Sequence, residues 1–124
     1  MLWSARARRS VASQATSAVE LEGVSATIYD GGRPAWTCRA GRLEADEPSS
    51  QVAFSEEVSI VSADGRARFT APRVVWAVKK SRMYGDGGVR LQVDRLIVTG
   101  QRFEVNTSDG TWRVIGASSA TFAP

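Results

Sequence analysis

Residues 59–78 read SIVSADGRARFTAPRVVWAV, and their pattern decides the fold. Val58 and Ile60 lie two apart, Asp64-Gly65 follows, and then Ala67, Phe69 and Ala71 alternate with polar neighbours before Val74, Trp76 and Val78 do the same. A period of two, carried by β-branched and aromatic residues, belongs to a strand with one face buried. Asp-Gly between two such runs suits a tight hairpin, because both central residues of a type I′ turn need positive φ, which glycine adopts freely and aspartate tolerates. The stretch is strand, turn, strand.

The same grammar extends in both directions. VSATI (24–28) and AWTCRA (35–40) alternate before it, and VRLQV (89–93) after it, followed by Leu96 and Val98, Phe103 and Val105, and Trp112 and Val114. Asp-Gly recurs at Asp30-Gly31, Asp86-Gly87 and Asp109-Gly110. The second of these, inside MYGDGGVRL (83–91), reads as a wider loop or a bulge, and Glu47-Pro48-Ser49-Ser50 is a further break. No stretch past residue 20 keeps a 3.6-residue period. The chain is therefore expected to be all-β, with roughly eight to ten short strands arranged as a sandwich, jelly roll or barrel.

A repeat underlies the strands. AGRL (40–43), APRV (71–74) and GQRF (100–103) each give a small residue, any residue, an arginine and a large apolar residue. Phe54 and Val114 fall fourteen residues after their starts and Tyr84 thirteen, while Val58 and Val89 both fall eighteen after. The unit is about 30 residues long, two strands and a turn, and stacked copies must share a core because one copy cannot bury its own apolar face. The small residue is expected where strands bend or pack closely. The arginines (Arg42, Arg73, Arg102) are expected to point out to a solvated face.

Composition narrows the function classes. At 124 residues the chain is one domain at most. From Leu21 onward 13 basic residues face 12 acidic ones, a balance that gives no basic stripe for nucleic acid. The chain has no histidine and one cysteine, Cys38, so it lacks the commonest general base and metal ligand and cannot form an internal disulfide. Cys38 reads as a small buried apolar residue. The carboxylates at Glu44, Asp46, Glu47, Glu56 and Glu57 have no nucleophile, base or ligand set beside them, and GDGG (85–88) lacks the Lys-Ser/Thr of a phosphate loop. No catalytic site, metal or cofactor is expected.

Residues 1–20 differ from the body. Arg6, Arg8 and Arg9 precede any acid, and no apolar run is long enough for a secretory signal or a membrane span. The segment reads as a degenerate targeting sequence, the remnant of an anchor, or a disordered tail, and disorder is the reading favoured here. Residues 21–124 are expected to form the single domain.

GVSATIYDGGRPAWTCRAGRLEAD (23–46), followed by VSIVSADGRARFTAPRVVWAVKKSRMYGDGGVRLQ (58–92), resembles the periplasmic lipopolysaccharide-transport proteins of the LptC and LptA/OstA type. Gly23, Val24, Tyr29, Asp30, Gly32 and Trp36 match the family's opening, which favours the LptC-like branch; Ala71, Val74, Trp76, Gly88, Val89 and Leu91 match a repeat unit. Ala77 stands where the unit often has aspartate, and the usual N-terminal transmembrane anchor has no counterpart here.

The resemblance implies an open β-jelly roll, two facing antiparallel sheets forming a groove that holds lipopolysaccharide acyl chains. It implies a periplasmic carrier at the inner membrane, with the lipopolysaccharide ABC transporter on one side and an LptA-like jelly roll on the other. The groove would be lined by Trp36, Cys38, Phe54, Ile60, Phe69 and Trp76, and by Tyr84, Leu91, Val93, Val98, Phe103, Val105 and Trp112. Partner strands would add at Val24, Ala26 and Ile28 on one edge and at Val114, Thr121 and Phe122 on the other. A sandwich core would use the same aromatic residues, and an edge-assembling scaffold or adaptor with no lipid is the second reading.

Overall fold

The computed structural model describes residues 2–13, 18–46, 49–116 and 119–122. Its strands are β1 (Leu2–Arg6), β2 (Arg9–Ser13), β3 (Ala18–Asp30), β4 (Arg33–Asp46), β5 (Gln51–Ser62), β6 (Ala67–Ala77), β7 (Arg82–Val93), β8 (Leu96–Asn106), β9 (Trp112–Ile115) and β10 (Ser119–Phe122). A short 3₁₀ turn, Val78–Lys80, links β6 to β7. Every pairing is antiparallel, in the order β1-β3-β4-β5-β6-β7-β8-β10. β2 pairs with the first half of β3, and β9 with the second half of β8.

A crease crosses the sheet. The pairing register shifts between Arg39 and Arg42 on β4, Ser55 and Val58 on β5, Thr70 and Arg73 on β6, and Asp86 and Val89 on β7. The extra residues lie on β5 and β7, as Glu56-Glu57 and Gly87-Gly88, all four with positive φ. The repeated small residues Ala40, Ala71 and Gly100 sit on the intervening strands at the same line, each buried or half-buried. So the repeat marks the bend: a bulge needs little side-chain bulk beside it. Arg42, Arg73 and Arg102 follow the crease in one row with Ser55 and Asp86 between them, pointing outward. Gly41 makes room for Glu56, whose Cβ would lie 2.7 Å from a Cβ at position 41.

The crease folds the sheet onto itself. β1 and β6 are four places apart in the strand order, about 19 Å in a flat sheet. Yet the rings of Trp3 on β1 and Trp76 on β6 lie 6.0 Å apart, edge to face at 81°. Trp3 belongs to the half-sheet containing Ile28 and Trp36, and Trp76 to the half containing Val52 and Ala45. These are the two facing antiparallel sheets of a jelly roll, here halves of the same long strands. The many short runs of the sequence are those halves. Asp86-Gly87 is a bulge, while Asp64-Gly65 and Asp109-Gly110 lie in hairpin connections. Part of the expected break at 47–50 lies outside the described residues.

The tail reading needs correction. Leu2–Arg6 and Arg9–Ser13 are strands paired with β3, and Trp3 and Ala5 pack against the core. An Ala-, Ser- and Arg-rich composition hides this because an edge strand needs only backbone pairing and a few apolar side chains on one face.

Glu57 occupies φ 61° with its side chain exposed. A left-handed conformation costs a non-glycine residue about 1–2 kcal/mol, partly offset by glycine's greater freedom in the unfolded chain. Glu57→Gly is therefore expected to raise the unfolding free energy by about 0.5–1 kcal/mol in urea titrations. A destabilised variant would show that the glutamate side chain holds the crease.

Candidate functional site: an apolar interior between two half-sheets

The inward positions of both half-sheets meet in one apolar interior. Cys38, Phe54, Ile60, Phe69, Trp76, Leu91 and Val105 have no exposed surface, and Trp36, Val98 and Phe103 are also buried. Phe69 joins strands on either side of it, with its ring centroid 6.0 Å from Trp36 and 5.1 Å from Phe103. The interior thus gathers ten of the thirteen predicted lining residues, with Val93 half-buried against its margin. Leu43, Val52, Val74 and Met83 belong there too. Leu43 and Val74 were legible as the apolar residue of the repeat; Trp3 was concealed in the tail.

Tyr84 and Trp112 do not join them. Tyr84 is 39% exposed, since Met83 and Gly85 take the inward positions of β7. Gly85 pairs with Phe103, whose ring occupies the space a Cβ would need. Aromatic size at the repeat spacing had suggested Tyr84, but pleat parity decides the face. Trp112 stands opposite Val105 on the inner face of β9, yet it is 36% exposed because β9 is an edge strand. Together with Arg82, Tyr84, Glu104 and Arg113 it borders a shallow surface pocket of about 430 Å³.

The edges also differ from expectation in one place. Val24, Ala26 and Ile28 lie on β3, which β1 and β2 cover, and all three are buried. The outermost strands on that side are β1 and β2. On the other side they are β9 and β10, which carry Val114, Thr121 and Phe122, the last 77% exposed.

Charge is kept to the outside. Arg66 makes two hydrogen bonds to Asp94, at 2.9 and 2.8 Å, joining the β5–β6 turn to the β7–β8 turn. Arg66 thereby holds the Asp94 carboxyl below the usual carboxylate range, and Arg113, donating to Glu104 at 2.8 Å, does the same there. Arg42 is paired with Glu20 and Glu44 on the outer face. Inside, burial pushes the Cys38 thiol up to about 12, so it stays protonated and behaves as a small apolar group. Among the described residues no three His, Cys, Asp or Glu side chains gather as metal ligands would, and no helix is long and apolar enough to cross a membrane.

A family model for lipopolysaccharide assembly, LptC-related, matches residues 1–123. The fold is similar to the crystal structure of LptH from Pseudomonas aeruginosa, the LptA-homologous periplasmic component of its lipopolysaccharide transport device. That likeness has a TM-score of 0.77 at 8% identity, covering 99% of this chain and 96% of that one. No curated protein matches the chain by sequence.

Proposed function

The chain belongs to the LptC-related family of lipopolysaccharide-assembly proteins, and we propose that it serves lipopolysaccharide transport as a non-enzymatic carrier whose apolar interior accepts acyl chains. One observation carries this reading: two half-sheets of the same strands face each other across an interior lined by hydrocarbon and aromatic side chains. Each CH₂ moved from water into such a space contributes about 0.8 kcal/mol, so acyl chains need no polar recognition to be held.

At rest the interior is filled by its own side chains, Phe54, Phe69 and Trp76 among them. Loading then requires the halves to part, and the crease is where the backbone yields, because the ladder is already interrupted there. Among the described residues no strand pairs with the outer edges of β1–β2 and β9–β10, which are suited to strand addition, with an LptA-like jelly roll on one side and the inner-membrane ABC transporter on the other. The site of action is the periplasm. The exposed Phe122 on β10 favours an edge-assembling scaffold as the second reading.

A photo-reactive side chain replacing Trp36 inside, against one replacing Arg90, exposed on the outer face of β7, separates the two. In cells making lipopolysaccharide, an adduct at position 36 and none at 90 is the expected result. A folded, exported protein that gives no adduct at 36 would leave the scaffold as the function.

A further inference from the structure

We propose that the indole N–H of Trp76 is a polar anchor of the interior, donating a hydrogen bond to the ester or amide carbonyl at the head of a bound acyl chain. The inference rests on the lipid-carrier reading above and adds to it a position and a selectivity.

Trp76 is fully buried, and its Nε1 has no hydrogen-bond partner. Among the described residues one other buried side-chain nitrogen lacks a hydrogen bond, Nε of Arg42, and it lies 3.3 Å from the Glu44 carboxylate. The Trp76 donor alone is left without a counterpart. Buried polar groups almost always find partners, and a buried donor without one is destabilising where phenylalanine would carry no such penalty. The nearest aromatic group is the Trp3 ring, edge to face with it, and a ring face is at best a weak acceptor. Its cross-strand neighbours are Val52 and the buried Met83, whose thioether is only a weak acceptor and makes no hydrogen bond to it.

The chemistry that answers such a donor is an acceptor carried on an apolar body. An acyl chain has one at its head, where an ester or amide carbonyl joins it to the rest of the lipid; a plain hydrocarbon has none. Placement agrees. Trp76 is the penultimate residue of β6, and the turn that follows exposes Lys79 and Lys80. A chain whose carbonyl meets Trp76 therefore has its polar end at the rim bearing those cations and its tail among Phe54, Phe69 and Leu91.

The test compares methyl myristate with tetradecane, binding to the whole protein and to Trp76→Phe, while ¹⁵N–¹H spectra follow the indole protons. Wild type is expected to bind the ester about three- to tenfold more tightly than the alkane, as one hydrogen bond allows. Trp76→Phe is expected to bind both as wild type binds the alkane. The Trp76 indole proton, identified by its loss in that variant, is expected to move downfield with the ester and not with the alkane. An ester preference that survives in Trp76→Phe overturns the proposal. So does a Trp76 proton that already has a hydrogen-bonded shift without ligand and does not respond to the ester, which would identify water as its partner. The wild-type spectra decide the matter even if the variant folds poorly. If folded wild type binds neither compound, the lipid-carrier reading itself fails, a result distinct from alkane binding without ester preference.

Discussion

Phe69→Ala is expected to cost about 3–5 kcal/mol of folding free energy, the range for emptying a fully buried phenylalanine site. Phe69 has no exposed surface, and its ring sits between Trp36 and Phe103 while its backbone pairs with Ile60 and Leu91. Those neighbours lie on four different strands, so the void cannot close by moving one of them. A domain of this size is stable by about 5–15 kcal/mol, and the variant is left marginal. Urea unfolding measures the loss, with Phe122→Ala as the comparison: at 77% exposed, Phe122 is expected to contribute almost nothing to folding of the isolated protein. A Phe69 penalty under about 1 kcal/mol would mean that the half-sheets do not close on this residue.

The second large effect lies at the crease. Gly87 and Gly88 have φ of 90° and 94°, where side chains with a Cβ are rarely found. Forcing valine into such a conformation costs about 1–3 kcal/mol per position, more where the new atoms also collide. A Cβ at 88 meets nothing within 4 Å, whereas one at 87 lies 3.2 Å from Cγ of Pro72. Gly88→Val thus isolates the backbone cost, Gly87→Val adds a steric one, and the double variant is expected to lose about 2–6 kcal/mol in the same titration. Gly110→Val, in an exposed turn with φ 76° and nothing within 4 Å of its Cβ, gives the cost of positive φ away from the crease. If the double variant lost no more than Gly110→Val alone, the bulge would not be what bends the sheet.

The equivalent position one hairpin earlier makes the contrast instructive. Glu56 and Glu57 also adopt positive φ, at 64° and 61°, within the small left-handed region that side chains can enter. The two bulges solve the same bend differently. The sequence motif that repeats is not at these bulges on β5 and β7, but on the strands beside them, at Ala40 on β4, Ala71 on β6 and Gly100 on β8. That is why Glu56-Glu57 reads as a carboxylate pair and Gly87-Gly88 as a loose turn until the register is seen.

Pleat parity explains most of what could be read in advance. Phe69, Trp76, Leu91 and Phe103 lie where alternation places them, because a strand with one buried face fixes the orientation of every second residue. Parity changes at the crease on β4, β6 and β8, where inward positions run from Ala40 to Leu43, Ala71 to Val74 and Gly100 to Phe103. On β7 it runs unbroken through Met83, Gly85, Val89 and Leu91, so Tyr84 was misplaced by aromatic size at the repeat spacing against the alternation of its own strand. The edge at Val24–Ile28 was misread because pairing with the N-terminal segment depends on backbone hydrogen bonds, which composition does not register.

By itself the sequence determined the strand class, the 30-residue unit, most of the interior side chains and the resemblance to lipopolysaccharide-transport proteins, since periodicity and turn chemistry are local properties of the chain. Only the tertiary structure decided that the short runs are halves of long strands, that residues 2–13 complete one edge, and that Trp76 carries an indole N–H with no partner. Those depend on which strand meets which across the crease, and contacts between residues as distant as Trp3 and Trp76 leave no mark in the pattern of either one's neighbours.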